Sequence, residues 1–242
     1  MAKSPATPKG LKRFKYPPEP ARVEAIFTRF EAMEPEPRTE LKFRDPYTLV
    51  TAVALSAQAT DVSVNKATDR LFEVADTPQK MLALGEEGLI PYIASIGLFR
   101  TKAKNVIAAA RILVEQYGGV VPLERDKLQA LPGVGRKTAS VVLNELGVEP
   151  AIAVDTHVFR VSHRLGLSNA PTPDKVEAQL FKVVPPKWLT RAHHWLILHG
   201  RYTCVAQRPR CENCVVAEWC PSREFYLQAA AAAREGKKPA KR

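Results

Sequence analysis

Three observations in the sequence predict an all-α fold. Apolar residues recur at helical spacing in one segment after another. No stretch shows the two-residue alternation of a half-buried strand. Residues that start and stop helices punctuate the periodic runs. Residues 21–33 place Val23, Ile26, Phe27 and Phe30 on one face, and prolines between Pro35 and Pro37 break the chain behind them. Residues 46–55 open with Asp45 before Pro46, a cap and first-turn pair. Residues 61–74, 101–117 and 173–184 share the helical period, and Gly118-Gly119 stops the second of them. Two short helices, 123–130 and 136–146, flank a glycine turn, and Pro185-Pro186 breaks the chain before its cysteine-bearing end. There is no internal repeat.

At 242 residues and 45% hydrophobic composition, the chain can build one large core or two smaller ones. No apolar run is long enough to cross a membrane. The first residues are basic and proline-rich and lack the apolar centre of a secretory signal. Much of the net charge of +11 sits at the ends, 1–18 and 229–242, which read as flexible basic tails. Such tails point to a polyanionic partner whose affinity falls steeply with salt.

All four cysteines lie in one short window, Cys204-x6-Cys211-x2-Cys214-x5-Cys220. Thiols so grouped, in a chain without an export signal, read as ligands of one metal centre. A structural zinc site more often offers two close pairs. One close pair flanked by longer spacers suits a segment wrapped around a larger [4Fe–4S] cluster. Zinc remains the rival, and two disulfides would need an oxidising compartment. Arg208 and Arg210, between the first two cysteines, can present cations to phosphates.

The turn Leu131-Pro132-Gly133-Val134-Gly135-Arg136-Lys137-Thr138-Ala139 joins the two short helices. Gly133 and Gly135 allow positive φ and close approach of another backbone. The second helix then opens with unpaired amides and its positive dipole end, a seat for a phosphate. Val134 can pack between the helices, and Arg136 adds a cation. An ordinary glycine-capped corner is the bland alternative. Lys137, in the first turn, reads equally as an amine nucleophile or as a cation for phosphate. Asp155, ahead of Val158, Val161 and Leu165, reads as an N-cap or as a catalytic carboxylate, and the two roles are compatible. His157 reads as capping or as a partner of Asp155, and His193, His194 and His199 as packing.

The LPGVGRKTA turn, the stretches Leu55 to Asp61, Ala153 to His157 and His193 to Cys204, and the cysteine spacing occur in the order found in one known family. The chain resembles the endonuclease III family of helix-hairpin-helix, iron–sulfur DNA glycosylases from about residue 20 to about residue 225. The resemblance implies a helical barrel domain at 39–149, with its hairpin at 123–146. That domain is inserted into a cluster domain of 19–38 plus 150–228, with a DNA cleft between them. It implies a [4Fe–4S] cluster on Cys204, Cys211, Cys214 and Cys220. It makes Lys137 a Schiff-base nucleophile and Asp155 the carboxylate acting with it. Gln58 and Leu98 match positions that enter the duplex, and Gly133, Val134, Gly135 and Arg136 match the grip on its backbone.

The implied activity is a bifunctional DNA glycosylase and abasic-site lyase of base excision repair, removing oxidised pyrimidines such as thymine glycol. It is expected to act as a monomer on damaged double-stranded DNA in a bacterial cytoplasm, associated with the nucleoid, without membrane or nucleotide cofactor. Two rivals remain in view. A mismatch-type adenine glycosylase usually lacks Lys at 137, and a non-catalytic hairpin module with a structural metal has no use for Asp155.

Overall fold

The computed structural model describes residues 14–235. Within them the protein is all-α, with eleven α-helices, three 3-10 turns and no strand. Most of the two basic ends, 1–13 and 236–242, lies outside the described residues. The chain forms two compact units: Thr39–Ala151, and the described parts of Met1–Arg38 and Ile152–Arg242.

The unit Thr39–Ala151 is built from six helices. α2 (Pro46–Leu55) starts with a reciprocal cap, in which Asp45 accepts from the Thr48 amide at 2.8 Å while Thr48 Oγ1 accepts from the Asp45 amide at 3.0 Å. Nearly all of it is buried, as expected of a helix apolar on every face. α3 (Asp61–Leu71) is capped by Thr60 and stops short of the expected Val74, which is 48% exposed. α4 (Pro78–Ile93) was not legible from the sequence. Gly85, at φ 68° and ψ 176°, kinks it, and Pro91 lies inside it. α5 (Phe99–Tyr117) begins two residues before the expected start and closes on Gly118. α6 (Arg125–Gln129) is shorter than predicted, and α7 (Arg136–Glu145) ends within a residue of expectation. Leu55, Leu71, Met81, Leu89, Ile93, Leu113 and Leu128 are fully buried at the centre of this unit.

The other unit joins α1 (Pro20–Met33) to α8 (Thr156–Arg164), α9 (Pro173–Val183), α10 (Leu189–Tyr202) and α11 (Arg223–Glu235). Aromatic packing makes the long-range link. Trp188 stacks on Phe27 with centroids 5.8 Å apart, and Trp195 stacks on Phe30 at 6.5 Å. Their indole N–H groups donate to Glu31 at 3.0 Å and to the Glu34 carbonyl at 2.8 Å, so neither is buried unsatisfied.

Two expected tail boundaries are corrected. Residues 14–18 are docked rather than loose, because Pro18 is buried and Tyr16 donates to the Gln179 carbonyl at 3.3 Å. At the other end α11 continues to Glu235, through the alanines that favour helix, so no tail begins at 229.

α8 and α10 approach closely at Gly200. A Cβ there would lie 2.9 Å from His157 Cβ and 3.1 Å from Val161 Cγ2, neither at the free end of a flexible chain. Gly200→Ala is therefore expected to destabilise this unit by about 1–3 kcal/mol, read as a lower melting temperature. A variant melting like wild type would show that the helices separate at little cost.

Candidate functional site

The turn between α6 and α7 is shaped by Gly133 at φ 81°, a left-handed conformation in which any side chain would be strained. A Cβ there would also meet Asn105 Cβ of α5 at 3.1 Å. Gly135 departs from expectation. Its φ of −82° suits any residue, so the turn does not need its conformational freedom. Nothing lies within 4 Å of where its Cβ would be, and it caps α7 without a side chain. Its lack of a side chain leaves the helix end open to approach. Val134 is 3% exposed and its amide donates to the Leu131 carbonyl at 3.0 Å. It holds the shape of the turn from within. Arg136 and Lys137 are exposed in the first turn of α7. Arg125 braces the hairpin, donating to Ser140 Oγ at 2.8 Å.

Two further turns in this unit carry unusual backbone. Gln58 at φ 56° and Leu98 at φ 61° are both left-handed non-glycine residues. Each such conformation costs about 1–3 kcal/mol. Both side chains are exposed, Leu98 by 59%. The turns adjoin, since a Cβ on Gly97 would be 3.9 Å from the Gln58 carbonyl oxygen. Leu98 itself adopts the left-handed conformation and so caps α5 with its side chain turned outward.

In the other unit Asp155 is the N-cap of α8, its Oδ1 accepting from the Val158 amide at 2.7 Å. Among the described residues no donor reaches its Oδ2, so the cap fixes the carboxylate and leaves one oxygen available. His157 Nδ1 lies 3.2 Å from Arg160 Nη2, which makes that ring nitrogen the acceptor. Arg160 also donates to the Gly200 carbonyl at 2.9 Å and to the Cys204 carbonyl at 3.0 Å.

The four cysteines line one pocket, partly open to solvent and lined also by Arg164, His199, Arg223 and Tyr226. All four sulfurs open on this one pocket, the arrangement that a multi-atom cluster needs. Without a cluster, burial pushes the Cys214 thiol up to about 11 and Cys220 up to about 12; as cluster ligands these sulfurs would be thiolates. Arg164 was not anticipated. It is 6% exposed and donates to the Val205 carbonyl at 2.7 Å, to the Ala206 carbonyl at 2.8 Å and toward Cys204 Sγ at 3.5 Å. Its other face lies 4.3 Å from the Tyr226 ring centroid.

His199, held neutral by burial that lowers it to about 4, places Nε2 3.7 Å from Cys214 Sγ. Expected only to pack, it also faces the cavity. His193 and His194 are buried edge to face at 5.1 Å. Arg208, at φ 53°, and Arg210 are exposed on the loop between the first two cysteines.

Residues 51–186 match the family described as HhH-GPD superfamily base excision DNA repair protein. Residues 204–220 match the iron-sulfur binding domain of endonuclease III. Endonuclease III of Rickettsia conorii (strain Malish 7) is 56% identical over 205 residues, spanning 85% of this chain and 96% of that protein. The enzyme of Escherichia coli K12 is 54% identical over 199 residues, spanning 82% and 94%. Among solved structures, a non-covalent endonuclease III–DNA complex superposes with a TM-score of 0.81 at 42% identity, covering 87% of this chain and 99% of that one. A trapped endonuclease III–DNA covalent intermediate gives 0.80 at 42% identity, with the same coverage. A thermostable thymine-DNA glycosylase shares the fold, at 0.74 and 22% identity.

Proposed function

The chain belongs to the HhH-GPD superfamily of base excision DNA repair proteins, in its endonuclease III branch, and from that premise we propose how its residues divide the work. It is a DNA glycosylase with abasic-site lyase activity, acts on double-stranded DNA and carries an iron–sulfur cluster. The substrates are oxidised pyrimidines such as thymine glycol, and the cluster is [4Fe–4S] on Cys204, Cys211, Cys214 and Cys220. When bound, the cluster supplies metal–thiolate bonds that tie its segment into the fold. The enzyme works as a monomer in the bacterial cytoplasm, with the nucleoid. No helix among the described residues is long and apolar enough to cross a membrane.

The observation that carries the mechanistic reading is the position of Lys137, exposed in the first turn of a helix that no side chain caps, directly after the Gly133 turn. A phosphate seated on the open amides holds the strand beside the amine. The exposed, left-handed Leu98 and Gln58 fill the gap when the damaged nucleotide leaves the stack, Leu98 as a wedge and Gln58 toward the orphan base. Their backbone cost in the free protein is offset by contacts made in the complex.

Lys137 Nζ then forms a bond to C1′ as the glycosidic bond breaks, and the base departs with its electron pair and takes up a proton. Asp155, oriented by its cap to Val158, steadies the positive charge developing on the sugar. Loss of a proton from the amine and ring opening yield a protonated imine. The imine draws electrons from the 2′-carbon, which loses a proton, and the bond from C3′ to its phosphate oxygen breaks. Arg136, Arg208 and Arg210 hold phosphates.

A duplex bearing one thymine glycol is expected to be cut 3′ to the lesion, while adenine opposite 8-oxoguanine is left in place. Release of that adenine without cutting at thymine glycol would favour the mismatch-type rival and overturn the assignment.

A further inference from the structure

The cation of Lys102 is used by nothing described so far. It lies in the first turns of α5 at 6% exposure, and among the described residues its Nζ has no hydrogen-bond partner. Its surroundings are apolar, for Ala103 and Val106 beside it belong to the same core as Val134 of the hairpin turn. Burial alone pushes its ammonium below the usual lysine range, with no neighbouring carboxylate to hold it up. A buried ammonium without a counter-charge destabilises a fold, and an apolar chain of the same length would serve packing better.

The location points to a reason for keeping it. On α5 Lys102 lies one turn before Asn105, which is three residues after it. Asn105 Cβ lies 3.1 Å from where a Cβ on Gly133 would be, so this turn of α5 abuts the phosphate-seating turn.

We propose that Lys102 is a positioning residue of the DNA site. Its ammonium is a counter-charge set behind the hairpin turn, left unpaired in the free protein and compensated when a DNA phosphate is seated at Gly133 to Arg136. A charge in a poorly screened interior acts over longer range than one on the surface. The free protein therefore carries an electrostatic cost that the bound strand relieves. The inference rests on the hairpin turn being the phosphate seat.

The test compares wild type with Lys102→Met and Lys102→Arg. It measures the melting temperature of the free holoenzyme and the affinity for a duplex bearing a tetrahydrofuran abasic analogue, at several salt concentrations. Met is expected to leave the melting temperature unchanged or raise it, while weakening the duplex about tenfold. Arg should stay within about threefold of wild type. Because both act at one phosphate seat, Lys102→Met combined with Arg136→Ala should lose less than the product of the two single losses. A Met variant that melts lower than wild type marks Lys102 as a structural group and overturns the proposal whatever its affinity. Unchanged affinity overturns it as well. If wild type does not bind the abasic duplex at all, the functional reading fails first, and that outcome is distinct from either.

Discussion

Lys137→Ala is expected to lose strand cutting at a thymine glycol or abasic site by on the order of 10³-fold or more, because it removes the atom that forms the covalent intermediate. Binding should suffer far less. Lys137 is one exposed cation among several at the hairpin turn and on the loop carrying Arg208 and Arg210, and the amides that seat the phosphate belong to the backbone. Affinity for the abasic-analogue duplex should stay within about tenfold of wild type, with the slope of log affinity against log salt reduced by about one. Arg136→Ala should separate the two roles. It is expected to cost affinity and salt slope by a similar amount while cutting persists once the substrate is saturating. Equal losses of cutting in the two variants would place Lys137 among the phosphate cations and return the nucleophile to an unknown residue.

Replacing a cluster ligand is expected to have the largest effect on stability. Cys220 carries the thiol that burial raises furthest, to about 12. Cys220→Ala removes one ligand and leaves the other sulfurs lining a pocket without a complete cluster to tie it together. Arg164, tied to the Cys204, Val205 and Ala206 carbonyls and directed toward Cys204 Sγ, then loses the cluster it braces. Loss of the visible absorbance of the cluster is expected, with a fall in stability of several kcal/mol, since ligand bonds contribute directly to folding.

The thiol shifts also set the sign of the pH dependence. In the free fold Cys214 and Cys220 keep their protons to well above neutral pH, whereas ligation requires thiolates, so loading releases protons. Cluster loss to a chelator should therefore quicken as the pH falls. A variant that keeps the absorbance, or a loss rate independent of pH, would contradict the account of the cavity.

What the sequence made legible was local chemistry. Asp45-Pro46 and Pro173 announce helix starts because a cap and a fixed φ act on their own neighbours. Gly118 closes α5 for the same reason, and the cysteine spacing is a property of one segment. α4 escaped because Gly85, Gly88 and Pro91 read as breakers, and only its packing in the core holds a kinked helix together. α10 escaped because three histidines dilute its apolar face, although all three are buried.

The site divides along the same line. Lys137, Asp155 and the cysteines sit in compact motifs. Arg164 and Arg160 look like ordinary basic residues of a helix until the fold brings them to residues forty positions away. The left-handed backbone of Gln58 and Leu98 falls on residue types that rarely adopt it, so nothing at those positions signals it. Gly133 and Gly135 look equivalent in the sequence, yet only the first needs to be glycine for its φ.

The central claim is that one amine, Lys137, forms the covalent link to DNA. Borohydride reduction of the protein mixed with a duplex carrying a single thymine glycol tests it most directly, followed by identification of the modified peptide. The account predicts a trapped protein–DNA adduct with wild type, attached through Lys137, and none with Lys137→Ala. An adduct that survives in Lys137→Ala at wild-type yield, or one that maps to another amine, would contradict it.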